Sequence, residues 1–597
     1  MQNKITGAFV AVLISLLPAP VSAEVMLTGS SDWPLYGRSF DNQRFSPLSQ
    51  INAGNVQRLR LAWRFNTGKF GSFQTSPLVR DGIMYLTTPY NDVIALRADT
   101  GKELWRYHHD LPEDGNYCCG PANRGPALHA DKVFTVTIDA RLLALDRKTG
   151  KVVWDVAIAD TETGSAESLQ ALAGLTEFRS ATQSGQTGYT ANLAPQVFAG
   201  KVLVGISGAG YGLHLDLEQD GEHVLSVGGL SAGAGSRGGH GLRGFIVAYE
   251  VETGAEIWRW HSTPETGWQG QWRRQTDYGV ALNRDLDAER RANKTYSDTW
   301  RYGGGSIYTT PAIDPQLGLI YIGTGNPSPQ MDASTRPGDN LYTVSLVALE
   351  ADTGKLRWHY QQVPHDRWGY DVASPPVLFD LVENGKTIKA VGQASKLGWF
   401  FIHDRQTGEL LRRSEPFINH DNLFAPPAAA GVRIVPGTLG AVSWSPVAYH
   451  PGLQQVYIPG IYQPSLFFSR KLAPQAGAPW QSFTFFRKAA EPDWGMLSAI
   501  DVASGKLVWQ RQVAQPMVGG ALATAGDLVF TGEGNGMFVA YDAHHGTPLW
   551  RHQAEYGVNA PPVSYLHKGK QYISVAAGGN ALFGYEVGDE LLTFSLE

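Results

Sequence analysis

Hydrophobic and polar residues alternate along most of the chain in short runs that end at glycine-rich turns. Runs such as GIMYLTT, KVLVGIS, GLIYIGT and DLVFTGE have the β-branched and apolar composition of buried strands. A second pattern recurs, in which an apolar run such as ALD leads into Thr-Gly and then into Lys-x-x-Trp. The Thr-Gly pair favours a tight turn, so this phrase predicts a hairpin between two antiparallel strands.

The phrase repeats along the chain, and six copies end in tryptophan: Trp105, Trp154, Trp258, Trp358, Trp509 and Trp550. A degenerate copy, FIHDRQTGELL, has Leu411 in place of the tryptophan, and a segment with Trp63 begins the series, which gives eight units. Each unit and the strands before it predict four short strands, which cannot bury both faces of a sheet alone. A linear β-solenoid is the alternative, but solenoid repeats are shorter and lack the hairpin turn.

The sequence therefore predicts an all-β, eight-bladed β-propeller, in which closure removes free strand edges and the tryptophans fill the grooves between blades. The units are longer than compact propeller blades, which predicts long insertion loops. The four largest polar or glycine-rich stretches are 161–191, 213–241, 265–303 and 464–494.

Composition and charge exclude some functions. The chain has 597 residues, is 43% hydrophobic and carries a net charge of −6, so it can bury a large core and has no basic surface typical of nucleic-acid binding. No strand–helix G-x-G-x-x-G motif indicates NAD or FAD, and no C-x-x-C-H motif indicates haem on this chain.

The first 23 residues are typical of a secretory signal peptide. Lys4 precedes an apolar run over 8–17, and Val21-Ser22-Ala23 forms a small-residue cleavage site. A membrane anchor is the alternative, but the run is too short and prolines interrupt it. We expect cleavage after Ala23, leaving 24–597 as a single periplasmic domain with no integral membrane segment.

The two cysteines, Cys118 and Cys119, are adjacent. Neighbouring Cα atoms lie ~3.8 Å apart, closer than in ordinary disulfides, and a bond between them would close essentially no loop. Such a bond would therefore act locally, as a rigid apolar plate on which a planar ligand could stack. Two separate buried thiols are the alternative.

Several motifs occur in a fixed order between Asp32 and Gly584: CCGPANRG, GTGNPSP, RPGDNLYTVSLVALEADTGKLRW, HDRWGYDVASPPVL and ASKLGWFFIHDRQTGEL. Together with the tryptophan repeat they resemble the quinoprotein dehydrogenases that use pyrroloquinoline quinone (PQQ), among them the methanol, ethanol and membrane glucose dehydrogenases. The vicinal cysteines with RPGDN are specific to that family, whereas non-catalytic propellers share the repeat. The resemblance implies PQQ in the central funnel and Ca²⁺ or a lanthanide as metal.

PQQ is flat and carries three carboxylates, so its site needs stacking surfaces and cations. By resemblance, Cys118 and Cys119 form one stacking surface and Tyr308 the opposite one. The arginine of ANRG, Arg124, would bind a carboxylate with its planar fork. Gln74 stands where the family often has glutamate, and Lys396 would stabilise charge on the quinone oxygens.

On the metal side the sequence departs from the family. Asn326 matches a metal ligand, but Gly210 stands in the place of a ligating glutamate and Gly369 in the place of the catalytic aspartate. Two residues further on, Asp371 stands where lanthanide-using relatives carry an extra aspartate. Residues two apart on an extended chain face the same side, so we expect Asp371 to serve as base or metal ligand.

Other carboxylates are weaker candidates for the missing groups. Asp366 precedes Gly369 in the same motif, and Asp216 and Glu218 lie in the insertion after Gly210. For Asp216 and Glu218 a solvated surface role is the better interpretation.

The sequence thus predicts a periplasmic dehydrogenase that oxidises an alcohol, polyol or sugar hydroxyl to a carbonyl with PQQ. The electrons would pass to a separate acceptor such as cytochrome c. A non-catalytic or PQQ-binding propeller with a degenerate metal site, acting as scaffold or sensor, is the alternative that Gly210 and Gly369 favour.

Overall fold

The computed structural model describes residues 31–111, 120–159, 178–180, 189–208, 215–219, 222–227, 242–328, 330–331, 333–383, 385–471 and 482–597. Strands dominate these residues, which confirms the all-β prediction. An α-helix, α1, spans Leu286–Ala292, and short 3-10 helices span Val56–Arg58, Pro89–Asn91, Thr299–Tyr302 and Ala581–Phe583. No helix within the described ranges has the length and apolar character needed to span a membrane.

In the described part of the chain, eight antiparallel units of four strands follow one another in sequence. Sheets 1 and 2 consist of Leu78–Arg80, Ile83–Thr87, Val93–Arg97 and Glu103–Tyr107, and of Ala127–His129, Lys132–Val136, Arg141–Asp146 and Val152–Ala157. Sheets 3 and 4 consist of Gln196–Phe198, Lys201–Gly205, Phe245–Glu250 and Glu256–His261, and of Ala312–Asp314, Leu319–Gly323, Ser345–Glu350 and Leu356–Gln361.

The second half of the chain repeats this order. Sheets 5 and 6 consist of Val377–Glu383, Lys386–Ala394, Phe400–Asp404 and Leu410–Arg413, and of Ala448–His450, Gln455–Tyr462, Trp494–Asp501 and Leu507–Val513. Sheet 7 consists of Ala521–Thr524, Leu528–Gly532, Met537–Asp542 and Pro548–Gln553, with Phe45–Ser46 added in parallel. Sheet 8 consists of Val563–His567, Lys570–Ala577, Gly588–Leu596 and Leu59–Gly71.

Sheet 8 joins the two ends of the chain. Its outer strand, Leu59–Gly71, comes from the beginning of the described chain and pairs antiparallel with Gly588–Leu596 from the end. Leu59 lies opposite Leu596 in this register. Residues more than five hundred positions apart therefore complete one sheet.

Within each sheet the first strand is mostly buried, whereas the fourth strand has more exposed or partly exposed positions. In sheet 1, for example, two of the three residues of Leu78–Arg80 are buried, while Glu103–Tyr107 is partly exposed throughout. The fourth strand also stands at one end of the strand order, so it forms the exposed edge of its sheet. The buried apolar side chains lie between neighbouring sheets.

Seven tryptophans make the same contact with the following sheet. The indole Nε1–H of each donates to a backbone carbonyl at 3.0–3.2 Å, in the pairs Trp63–Ala98, Trp105–Arg147, Trp154–Val251, Trp258–Ala351, Trp358–Arg405, Trp509–Ala543 and Trp550–Leu59. The turn glycine of the next repeat packs against the indole. A Cβ atom on Gly101, where φ is 69°, would lie 2.6 Å from the ring of Trp63.

The degenerate copy differs from the sequence interpretation by one position. Arg412, not Leu411, pairs with Ile402 as Trp358 pairs with Ala348, and it follows Gly408 by four residues as each tryptophan follows its glycine. The Arg412 guanidinium donates to the Val502 carbonyl at 3.2 Å. An arginine therefore makes the contact that tryptophan makes elsewhere.

The predicted insertions contain regular structure as well as loops. The 265–303 insertion contains α1, and the 464–494 insertion contains the hairpin Ser465–Lys471 and Ser482–Lys488, which joins Val432–Ile434 in a three-stranded sheet. A second small sheet joins Phe178–Ser180, Leu215–Gln219 and Glu222–Val227. The prediction of loops was wrong for these segments. The hairpin of the 464–494 insertion buries Phe467 and Phe468, and the polar residues around them concealed its apolar character.

Candidate functional site

The predicted site residues that the structure describes lie at one edge of the sheets. Four of them come just before the first strand of a sheet: Gln74, Arg124, Tyr308 and Asp371. The other two, Asn326 and Lys396, come just after the second strand of a sheet. Because the first and second strands are antiparallel, the start of one and the end of the other share an edge. All six are loop residues on a rigid framework, as functional residues commonly are.

Asn326, Asp371 and Lys396 are in direct contact. The backbone N–H of Asn326 donates to Oδ1 of Asp371 at 2.6 Å, and the Lys396 ammonium lies 2.5 Å from Oδ2 of Asp371. The Lys396 and Asp371 side chains are each about 6% exposed. A carboxylate and an ammonium are thus paired below the surface, where each compensates the charge of the other.

Lys396 has a complete set of hydrogen-bond acceptors. Besides Asp371, its Nζ donates to the carbonyl oxygens of Gly369 at 2.8 Å and Thr438 at 3.0 Å. An ammonium has three donors, and all three are used. Its position is therefore fixed by three segments of chain.

Arg124 is nearly buried and is held by polar and aromatic groups. Its Nη1 donates to Oδ1 of Asn192 and to the carbonyl of Tyr308, both at 2.8 Å. The guanidinium lies 4.8 Å from the ring centroid of Trp444 and 5.8 Å from that of Tyr308. Trp444 was not identified from the sequence because it lies outside the tryptophan repeat.

Gln74 is 3% exposed, and its Oε1 has no hydrogen-bond partner among the described residues. The same holds for Oγ1 of Thr438, beside Lys396. A buried polar atom without a partner is costly, so each of these oxygens is available to a bound ligand.

The loops around Arg124 are connected to the loops around Lys396. Gly325, which precedes Asn326, donates its N–H to the carbonyl of Ser306 at 2.8 Å, two residues before Tyr308. On the other side, the loop from Thr438 to Trp444 runs from Lys396 to Arg124. Arg124 and Lys396 therefore lie in neighbouring loops at the same edge of the sheets.

The space beside Gly369 is filled. Gly369 has φ of 75°, and a Cβ atom there would overlap Nε2 of Gln330 and lie 2.6 Å from Oγ1 of Thr438. The expectation of an extended chain from Gly369 to Asp371 was wrong, because a left-handed residue turns the backbone. Asp371 nevertheless reaches Lys396 and Asn326.

Asp366 lies inside the protein. It is fully buried, and its carboxylate accepts the N–H groups of Trp368 at 3.2 Å and Gly369 at 3.0 Å. Burial raises the pKa of Asp366 to about 7, although the Arg336 guanidinium opposes this rise. These two hydrogen bonds hold the turn at Gly369.

The arginine of the RPGDN motif ties the loops of this region together. Arg336 is fully buried and donates to the carbonyl of Asp366 at 2.5 Å, to that of Gln330 at 3.2 Å and to Oδ1 of Asn340 at 2.7 Å. In the same motif, Asp339 accepts the Arg284 guanidinium at 2.5 Å. The motif is thus structural support beneath the site.

Some predicted residues lie outside the described chain. These are Cys118, Cys119 and Gly210. Asp216 and Glu218 lie on the described strand Leu215–Gln219, whose side chains are not described.

The family model "PQQ: Glucose/ethanol/alcohol dehydrogenase, beta-propeller domain" matches residues 33–210, 223–415 and 411–573. The chain belongs to this family of PQQ-dependent dehydrogenases. A curated member, the quinoprotein alcohol dehydrogenase PedH of Pseudomonas putida, is 33% identical over 94% of this chain and 88% of the relative. The quinoprotein ethanol dehydrogenase of Pseudomonas aeruginosa is 32% identical over 93% of this chain and 87% of the relative.

Solved structures of the PQQ-dependent family match over nearly the whole chain. The quinohemoprotein alcohol dehydrogenase of Comamonas testosteroni has a TM-score of 0.75 and 31% identity, covering 96% of this chain and 82% of that chain. A europium-containing methanol dehydrogenase has a TM-score of 0.75 and 27% identity, covering 95% and 98%. The fold is therefore the all-β propeller of PQQ-dependent dehydrogenases.

The described residues fit the cofactor of this family. Arg124 offers a buried cation beside two aromatic rings, and Gln74 offers an oxygen without a partner. The described residues offer fewer groups for a metal ion than for PQQ. Asn326 and Asp371 are the predicted metal-side residues, and Ca²⁺ takes six to eight oxygen ligands. No cluster of three His, Cys, Asp or Glu side chains suited to a metal occurs within the described ranges.

Proposed function

We propose that this chain is a dehydrogenase that uses PQQ to oxidise an alcohol, polyol or sugar hydroxyl to a carbonyl. The relatives named above are an alcohol dehydrogenase and an ethanol dehydrogenase. The observation that carries the proposal is the buried Lys396–Asp371 pair, which lies against Asn326 at the sheet edge that also carries Arg124 and Gln74. A purely structural edge has no need of so many buried polar groups.

We assign each residue a role toward the cofactor. Bound PQQ would supply the quinone that accepts a hydride from the substrate. Arg124 would bind a carboxylate of PQQ, Gln74 would hydrogen-bond to it, and Tyr308 would stack on it. Cys118 and Cys119 would form the second stacking surface.

On the reacting side, Lys396 would place positive charge near the quinone oxygens, since three acceptors already fix its ammonium. Asn326 and Asp371 would hold Ca²⁺ or a lanthanide, and Asp371 would also accept the substrate's proton in place of the aspartate missing at Gly369. The contact between Asn326 and Asp371 supports this pairing.

The fold proposal is an eight-bladed propeller formed by residues 24–597 as a single domain after removal of a signal peptide, 1–23. The eight sheets, the pairing of Leu59–Gly71 with Gly588–Leu596 and the seven indole contacts support it. The tryptophans would then dock each blade on the next. We further propose a periplasmic location and a separate electron acceptor such as cytochrome c.

Reconstitution tests the proposal. The exported protein is loaded with PQQ and with Ca²⁺ or a lanthanide, the absorbance of bound PQQ is recorded, and dye reduction is followed with a panel of alcohols and sugars. Turnover with at least one alcohol is the expected result. Bound PQQ without turnover would instead support a PQQ-binding propeller, the reading that the glycine at position 369 favours, and failure to bind PQQ would overturn both.

A further inference from the structure

Arg44 is a fully buried arginine whose hydrogen-bond partners carry no negative charge. Its guanidinium donates to the backbone carbonyls of Tyr36 at 2.5 Å and Pro562 at 2.6 Å. It also donates to the carbonyl of Ala521 at 3.1 Å and to the hydroxyl of Ser76 at 3.3 Å. Burial lowers the pKa of Arg44 to about 10, so the guanidinium is still charged at neutral pH.

Two other buried cations have an anionic partner. Lys396 pairs with Asp371, and Arg284 donates to Asp339. Burial of a charge is costly unless it is paired and hydrogen-bonded. Carbonyl and hydroxyl oxygens accept the N–H groups of Arg44, but they leave its net charge in place. The protein thus holds one buried positive charge for which the described residues supply no anion.

The contacts of Arg44 place it at the edge of the sheets that carries the candidate site. Ala521 begins the first strand of sheet 7, and Pro562 directly precedes the first strand of sheet 8. Ser76 lies two residues before the first strand of sheet 1. The predicted cofactor-binding residues also lie where first strands begin, so Arg44 lies at their level in the fold.

Ser76 and Tyr36 connect Arg44 to Arg124. The N–H of Ser76 donates to the carbonyl of Arg124 at 3.0 Å, while its hydroxyl accepts from Arg44. Burial raises the pKa of the Tyr36 hydroxyl, and the positive charges of both arginines oppose this rise. Gln74 precedes Ser76 by two residues. An anion bound by Arg124 therefore lies in the field of both guanidinium groups.

We propose that Arg44 provides a second positive charge for the PQQ site, which attracts the carboxylates of a cofactor bound by Arg124 without contacting it. This inference rests on the proposed function, because PQQ is the anion that it invokes. PQQ carries three carboxylates, and one guanidinium forms a bidentate pair with only one of them. At an effective dielectric constant of ~20, a unit charge ~10 Å away changes the affinity for a carboxylate roughly ten-fold. Arg44 thereby makes the site selective for a multiply charged ligand.

Two substitutions of similar length separate the charge of Arg44 from its packing. Arg44→Lys keeps a positive charge, whereas Arg44→Met has none. The full chain is titrated with PQQ in a constant excess of Ca²⁺, and quenching of tryptophan fluorescence gives the dissociation constant. We expect this constant to be about ten-fold higher in Arg44→Met than in Arg44→Lys. Equal constants in the two variants overturn the proposal.

A neutral form of the cofactor identifies a purely structural effect. PQQ trimethyl ester has the same ring system, but its carboxyl groups carry no charge. Loss of packing around Arg44 would weaken the binding of both ligands, whereas loss of the charge weakens the binding of PQQ alone. We therefore expect Arg44→Lys and Arg44→Met to bind the ester with equal affinity. A difference as large for the ester as for PQQ overturns the proposal.

Arg405 provides the control for loss of a guanidinium elsewhere in the fold. Its side chain is 12% exposed and pairs with Asp314 at 2.8 Å. Arg405 follows the third strand of sheet 5, at the opposite edge from the candidate site. We expect Arg405→Met to leave the dissociation constant of PQQ unchanged, even where it lowers Tm. A rise as large as that in Arg44→Met overturns the proposal.

A second pair of variants leaves Arg44 in place and decides the question if the Arg44 variants do not fold. Ser76→Asp puts a carboxylate beside the guanidinium, and Ser76→Asn puts an uncharged group of the same shape there. We expect weaker PQQ binding in Ser76→Asp than in Ser76→Asn, and equal binding overturns the proposal. Failure of the parent protein to bind PQQ would overturn the proposed function together with this inference. Binding of PQQ that ignores these charges overturns this inference alone.

Discussion

The ammonium of Lys396 lies 2.5 Å from a carboxylate oxygen of Asp371, and both side chains are about 6% exposed. Removing one member of a buried ion pair leaves the other charge uncompensated, which costs about 3–5 kcal/mol. We expect Lys396→Met to lower the free energy of unfolding by about that amount in urea titrations. Lys355→Met, at an exposed position, is the control and should change it little. If the losses of Lys396→Met and Asp371→Leu simply add in the double variant, the pairing is wrong.

Asp371 is proposed as both base and metal ligand, so its removal should affect turnover more than cofactor binding. We expect Asp371→Ala to lower kcat by about 10²–10⁴-fold, the usual contribution of a general base, while the absorbance of bound PQQ remains. Stopped-flow dye reduction and the spectrum of the loaded protein measure the two effects. Unchanged turnover would remove Asp371 from the mechanism.

Substitution of Gly369 should be costly for two separable reasons. Its φ of 75° disfavours any side chain, and a Cβ atom would overlap Gln330. Gly68 has φ of 77° with no atom within 4 Å of a built Cβ, so Gly68→Ala measures the backbone cost alone, about 1–2 kcal/mol. We expect Gly369→Ala to lose more than Gly68→Ala in thermal or urea unfolding. Adding Gln330→Ala should recover part of the difference, because Oγ1 of Thr438 would still lie 2.6 Å from the added Cβ, and no recovery would contradict the steric explanation.

Burial of Asp366 predicts a pH dependence of stability. Its pKa is raised from the ordinary 3.8 to about 7, so the folded state binds this proton more tightly than the unfolded state. The stabilisation is fully present below pH of about 4 and is lost as the pH rises to about 7. Relative to Asp366→Asn, the parent protein should lose up to about 4 kcal/mol of unfolding free energy over this interval. Urea titrations at several pH values measure this difference, and a constant difference would show that Asp366 does not titrate there.

Much of the fold is readable from the sequence because its repeat is local. Thr-Gly turns and terminal tryptophans lie within a single hairpin, so neighbouring residues specify them. The sequence analysis assigned Leu411 to the position that tryptophan occupies in the other repeats. In those repeats the tryptophan follows the turn glycine by four residues, and the same count from Gly408 gives Arg412.

The candidate site was predictable only in part, because its contacts join distant segments. Motif resemblance indicated Asn326, Asp371 and Lys396, and the structure brings these three together. Trp444 was missed, since nothing in the neighbouring sequence shows that it packs on Arg124. Complete burial of Asp366 was equally invisible, because it depends on loops contributed by other sheets.

The pairing of Leu59–Gly71 with Gly588–Leu596 has a consequence for biosynthesis. The early strand finds its partner only when Gly588–Leu596 has left the ribosome, so the nascent chain carries an unmatched edge until then. A stop codon in place of Gly588 would leave that edge open permanently and favour its pairing with other chains.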